Sequence, residues 1–145
     1  ANEPWPGIHM KPIFEEALEV DPEDVESLRG VGLILLRQEK RPQQAAEYFR
    51  RAVEADPGSA RDWSNLGAAH LEAREFGKAR DALERAVELS PRDPRPLFNL
   101  ATCLERLDRP RQAASAWRRF VEAAEGQPQY RGQIGNAQRR LRALR

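Results

Sequence analysis

Residues 60–93 read ARDWSNLGAAHLEAREFGKARDALERAVELSPRD, and the spacing of small and apolar residues in this stretch recurs on both sides of it. Trp63, Leu66, Gly67 and His70 mark its first half, and Ala79, Leu83, Ala86 and Pro91 its second. Upstream, Leu28, Val31, Gly32 and Leu35 precede Ala45, Phe49, Ala52 and Pro57. Downstream, Leu97, Leu100, Ala101 and Leu104 precede Ala113, Trp117 and Phe120. Steps of three and four within each half are helical, and a fixed period of this length is the signature of a repeat array in which each unit buries its apolar face on the next. The upstream unit is one residue longer. The extra residue is expected in the inter-helix turn around Lys40 to Pro42, where an insertion costs little.

The first half of the central unit follows W-x2-L-G-x2-Y, with His70 in the tyrosine place. The second follows A-x3-F-x2-A-x4-P, with Leu83 for the aromatic. On these residues the chain resembles the tetratricopeptide repeat family. That resemblance implies an all-α fold, a right-handed superhelical solenoid of antiparallel helix hairpins, and a role in binding another protein. Units are expected over residues 25–59, 60–93 and 94–126. In the third, Ala101 replaces the usual glycine and Phe120 the usual small alanine. Phe14, Ala17 and Pro22 match the second half of a further unit over residues 12–24 whose first helix is absent, so the chain is expected to begin inside a unit.

Tyr130, Ile134, Ala137, Leu141 and Leu144 form one helical stripe, predicting a capping helix over residues 127–145. Gln138, Arg139, Arg140, Arg142 and Arg145 give it the polar outer face that a terminal repeat needs. Gly132 and Gly135 each lower helix propensity by roughly 1 kcal/mol relative to alanine, so its first turn is expected to be soft. At the other end, residues 1–11 read as a leader or extended segment, because Ala1 to Gly7 holds two prolines and a tryptophan. Gly7 to Met10 resembles a remnant of cloning, which sets everything before Lys11 apart from the fold.

The 145 residues carry 24 basic and 23 acidic side chains, a net formal charge of +1. This balance argues against general nucleic-acid binding, which normally shows a basic excess. Arginine dominates the cations, which points to a GC-rich bacterial coding sequence; the compartment is left open, with the bacterial cytoplasm or periplasm as the expectation. There is no apolar run long enough to span a membrane. Cys103 is the single cysteine, so it forms no disulfide within the chain, and it reads as a buried thiol between Leu100 and Leu104. His70 reads as a core residue standing in for tyrosine, since no second histidine or cysteine lies at metal-ligand spacing. No nucleophile–base constellation and no phosphate-cradling glycine loop is present. The chain is therefore read as no enzyme, and neither cofactor nor metal is expected.

The functional expectation rests on geometry, because a stack of helix hairpins turns the first helix of every unit toward a concave groove. The groove-facing residues are expected to be Arg29, Gly30 and Leu33, then Ser64, Asn65 and Ala68, then Phe98, Asn99 and Thr102. Leu36, Leu71 and Glu105 extend this face by one turn, with Arg37, Glu72 and Arg106 beside them and Arg61 and Arg95 at the entry. Asn65 and Asn99 are equivalent in consecutive units. They either supply amides for a peptide main chain or are ordinary repeat residues. In chaperone-binding members of the family, asparagines at these places help clamp a peptide backbone or terminal carboxylate. By that resemblance Arg29, Arg61, Arg95 and Arg106 become the candidate cations. Burying one leucine-sized side chain of the apolar centre is worth roughly 1.5–3 kcal/mol, against about 0–1 kcal/mol for an exposed ion pair. The apolar residues are thus expected to supply affinity and the arginines selectivity.

The expected partner is another protein, held by a short linear segment, with this chain as adaptor or assembly factor. Ala1 to Gly7 is itself a candidate segment. A second reading is a structural scaffold that forms homo-oligomers through its terminal helices. Nucleic-acid binding by the Arg139 to Arg145 face is disfavoured, because few aromatic side chains accompany those arginines for stacking.

Overall fold

The computed structural model describes residues 9–144; of the leader expected over residues 1–11, the first eight lie outside the described residues, whereas Met10 and Lys11 belong to the first helix. Helix α1 runs from Met10 to Val20 and α2 from Val25 to Leu33, continuing through a π turn at Ile34–Gln38. Then follow α3 (Pro42–Ala55), α4 (Ala60–Glu72), α5 (Phe76–Leu89), α6 (Pro94–Arg106) and α7 (Pro110–Ala124). A 3-10 turn at Pro128–Tyr130 leads into α8 (Arg131–Ala143). Among the described residues there is no strand, and no helix is long and apolar enough to cross a membrane.

The helices start where local chemistry lets them. Pro42, Pro94 and Pro110 stand in the first turn of α3, α6 and α7, where proline's missing N–H would have had no partner in any case. Ser59 and Asp93 cap α4 and α6 by accepting from the backbone N–H of Asp62 and Arg95. Trp63 donates its indole N–H to the carbonyl of Pro57 at 2.8 Å, tying α4 to the preceding loop.

Each helix packs chiefly on its neighbours in sequence, which builds the all-α, right-handed solenoid of hairpins. Two apolar clusters meet at α5. One centres on Val31, Leu35, Phe49 and Leu66, and the other on Leu83, Leu97, Trp117 and Phe120. Small residues set the spacing. A Cβ placed on Gly32 would lie 2.5 Å from the ring of Phe49, and one on Gly67 would lie 2.4 Å from Leu83 Cγ. Cys103 is fully buried, and burial pushes its thiol up to about 12, so it stays protonated and inert.

The extra residue of the first unit is not in the turn. Lys40, Arg74 and Asp108 occupy equivalent places with φ of 56°, 62° and 57°, so all three inter-helix turns are built alike. The additional residue is taken up inside the helix as the π turn, where the N–H of Glu39 bonds the carbonyl of Ile34. One more residue per turn keeps both Leu35 and Leu36 inward, at 3% and 2% exposure.

At the C-terminal end, α8 lies against the second cluster through Ala137, with Ile134, Leu141 and Leu144 partly buried. Glu105 of α6 fastens it. That carboxylate accepts the indole N–H of Trp117 at 2.7 Å and the Nε–H of Arg140 at 3.0 Å. The hydrogen bond from Arg140 holds Glu105 below its ordinary 4.5, with burial opposing and Trp117 assisting. A depressed folded-state value means that this fastening is complete above pH 4.5 and is lost as the pH falls through the lowered value. The protection of the α8 amides, relative to their intrinsic exchange rates at each pH, is therefore expected to fall on acidification below 4.5 before that of the central helices. In Glu105→Gln this local pH dependence should vanish.

Candidate functional site

The concave side holds a cavity of about 390 Å³ lined by Leu33 and Arg37 of the first unit and by Arg61, Ser64, Asn65 and Ala68 of α4. Arg95, Phe98 and Asn99 of α6 continue it, and Phe120, Tyr130 and Gln133 close its far end. Asn65 and Asn99 stand one unit apart on the same wall because helices α4 and α6 repeat in register. Three of the lining side chains are arginines and none is a carboxylate, although the chain as a whole is nearly neutral. Charge is thus sorted by position. Arg95 shares its guanidinium with Asp93 of its own helix start, at 2.8 and 3.1 Å. Among the described residues, Arg37 and Arg61 have no ion-pair partner.

The groove's far end is aromatic. Phe98 meets Trp117 edge-on at 4.9 Å between ring centroids and Phe120 at 5.1 Å, and Phe120 in turn meets Tyr130 at 6.1 Å. Such edge-to-face packing fixes ring orientation, so Phe98 and Tyr130 present a set surface over the fully buried Phe120.

Of the residues singled out in the sequence, Leu33, Arg61, Asn65, Ala68, Arg95, Phe98 and Asn99 line this cavity. Thr102 and Arg106 instead line an adjoining hollow of about 240 Å³, which shares Phe98 and adds Glu105, Trp117, Asn136 and Arg140. The Thr102 hydroxyl is spent on the carbonyl of Phe98 at 3.1 Å, and the Arg106 guanidinium lies over the ring of Phe76 at 5.1 Å.

Four expectations about this face need correction. Leu36 does not face the groove, because the π turn rotates it into the core. Arg29 is not a free cation. It donates from Nε and Nη2 to the two carboxylate oxygens of the fully buried Asp62, at 2.7 and 2.9 Å, and this pairing raises its already high pKa. Leu71 packs against the C-terminal core cluster and is absent from the groove wall. Gly30, the first-unit equivalent of Asn65 and Asn99, is covered by the ring of Phe14, which a Cβ there would meet at 2.4 Å. The asparagine column therefore has two members. His70 is partly buried, with Nδ1 3.3 Å from a carboxylate oxygen of Glu75.

Phe120, Tyr130 and Gln133 were not expected in the groove. Tyr130 reads as part of the packing stripe of α8, and only the return of the chain through Pro128–Tyr130 brings it and Gln133 to the concave side. The unusually large Phe120, at a place where the repeat ordinarily has alanine, is the one signal that this end differs.

A profile of the tetratricopeptide repeat matches residues 11–60 and 64–128, and a second matches residues 36–87. The chain belongs to the tetratricopeptide repeat family. Among curated relatives, the human protein O-mannosyl-transferase TMTC3 is 27% identical over 117 residues, covering 80% of this chain, which spans 13% of that protein's length. Among solved tetratricopeptide-type structures, MamA superposes with a TM-score of 0.79 at 25% identity, covering 93% of this chain and 73% of that one. The Yersinia enterocolitica type III secretion chaperone SycD, solved with a peptide of the translocator YopD, superposes with a TM-score of 0.79 at 19% identity. That match covers 87% of this chain and 95% of SycD. At these identities the likenesses establish the shared fold.

Proposed function

We propose that this tetratricopeptide domain is a non-enzymatic adaptor or assembly module whose concave groove captures a short segment of another protein bearing carboxylates beside apolar side chains. The observation that carries this reading is the composition of the groove wall: Arg37, Arg61 and Arg95 with no carboxylate, around an apolar centre of Leu33, Ala68, Phe98 and Tyr130. Asn65 and Asn99 are assigned to the segment's main chain, each able to donate and accept. Apolar contacts supply most of the affinity, and the arginines select acidic or terminal carboxylates and speed the encounter. That SycD holds a peptide of its partner protein on a similar scaffold supports the choice of ligand class.

The test is fluorescence anisotropy with labelled acidic–apolar peptides, each with a free and an amidated C-terminus. Replacing Asn65 and Asn99 together with alanine should weaken binding by roughly tenfold, as expected for two hydrogen bonds at about 0.5–1.5 kcal/mol each, and leave helicity intact. Unaltered affinity for a peptide that Arg61→Glu abolishes would remove the asparagines from the reading. Failure of every peptide to bind above the level of a neutral control would sink it altogether.

A further inference from the structure

Among the described residues, the large apolar side chains that stand exposed all lie on α1: Met10 at 47%, Ile13 at 50% and Val20 at 87%. Their spacing puts them on one helical face with Ala17 between them; Glu16 borders that face, and Glu19 lies one step further round on the same side. The opposite side of α1 is engaged, since Phe14 and Leu18 rest on the N-terminal core and Lys11 pairs with Glu39 at 2.8 Å. Scattered exposed apolar residues are ordinary, but a row of them confined to one helix marks an interaction face.

The groove is the complement of that face in both respects, with apolar Leu33, Ala68 and Phe98 and with Arg37 and Arg61, which lack partners among the described residues. We propose that α1 of a second copy of this chain is the segment seated in the groove, with Met10, Ile13 and Val20 on its apolar centre and Glu16 and Glu19 toward Arg37 and Arg61. This rests on the groove being a ligand site and names its occupant. Helix α8 offers no such match. Its exposed positions include Gln138, Arg139 and Arg142, which would satisfy the acids of α1 and leave its apolar row uncovered. Because helix and groove are different patches, the contact is heterologous, and each copy retains one unused half unless a ring or reciprocal pair closes.

The test uses the full chain and two variants at exposed positions, Val20→Glu to disable the helix and Arg61→Glu to disable the groove. Circular dichroism should show native helicity in both. By sedimentation velocity the wild type should gain mass with concentration, and each variant alone should remain monomeric. An equimolar mixture should form one species of twice the monomer mass, since the first variant keeps its groove and the second its helix. A wild type that stays monomeric, a Val20→Glu variant that associates like the wild type, or a mixture that stays monomeric would each overturn the proposal. Peptide binding separates the two readings: if Val20→Glu still takes up the acidic–apolar peptides while the mixture stays monomeric, the groove is a ligand site and only this occupant is wrong.

Discussion

Replacing Asp62 with alanine is expected to lower the stability of the fold by about 3–5 kcal/mol, the usual cost of removing one partner from a buried ion pair. The carboxylate has no exposed surface, and the Arg29 side chain that meets it in a two-pronged hydrogen bond is 18% exposed. In the alanine variant that guanidinium would stay charged, because arginine is not deprotonated in proteins, and would be held among packed helices without a counter-ion. The pair bridges α2 and α4, the first helices of consecutive units, so its loss should loosen the floor on which Arg61 and Asn65 are mounted. Urea titration followed by circular dichroism reads the effect as a lower midpoint. The double replacement Arg29→Met with Asp62→Leu should recover most of the loss, because exchanging both members of a buried pair for apolar groups is often neutral or stabilising. A single Asp62→Ala variant within about 1 kcal/mol of wild type would mean that the bridge contributes no more than a surface contact does.

At Gly67 the sign of a substitution is decided by two opposed magnitudes. Alanine would gain roughly 1 kcal/mol of helix propensity, but its Cβ would lie 2.4 Å from Cγ and 2.6 Å from Cδ2 of Leu83, a fully buried side chain. Overpacking of this kind typically costs about 1–3 kcal/mol. Gly67→Ala should therefore be a net loss, and Gly67→Val should approach 3 kcal/mol because branching adds further crowding in the same gap. Gly132 provides the opposite case on α8: nothing lies within 4 Å of its missing Cβ, so Gly132→Ala should stabilise by up to about 1 kcal/mol. Thermal unfolding of the three variants checks both signs together. A Gly67→Val midpoint equal to that of wild type would show that α4 and α5 do not approach as closely as the repeat register requires.

The sequence by itself determined the period, the register of the hairpins and the inward face of each helix, because these are local consequences of helical spacing. Val31, Leu66 and Leu100, or Phe49, Leu83 and Trp117, stand where the period puts them. The same register brought Asn65 and Asn99 onto one wall. What it could not determine was how side chains at equivalent places are used. Ser27, Asp62 and Pro96 occupy one place in three successive units and all are buried, yet only Asp62 reaches Arg29. With 24 basic and 23 acidic residues the chain offers far too many pairings for that one to be read in advance. The π turn was hidden for a related reason: an added residue leaves the same trace in a sequence whether a loop or a helix absorbs it, and only the packing of both Leu35 and Leu36 decides. The aromatic end of the groove likewise depends on the course of the chain after α7. Tertiary structure alone brings Tyr130 and Gln133 beside Phe98, because the direction in which a helix returns is set by what it can bury, and for α8 that is Ala137 against the last hairpin.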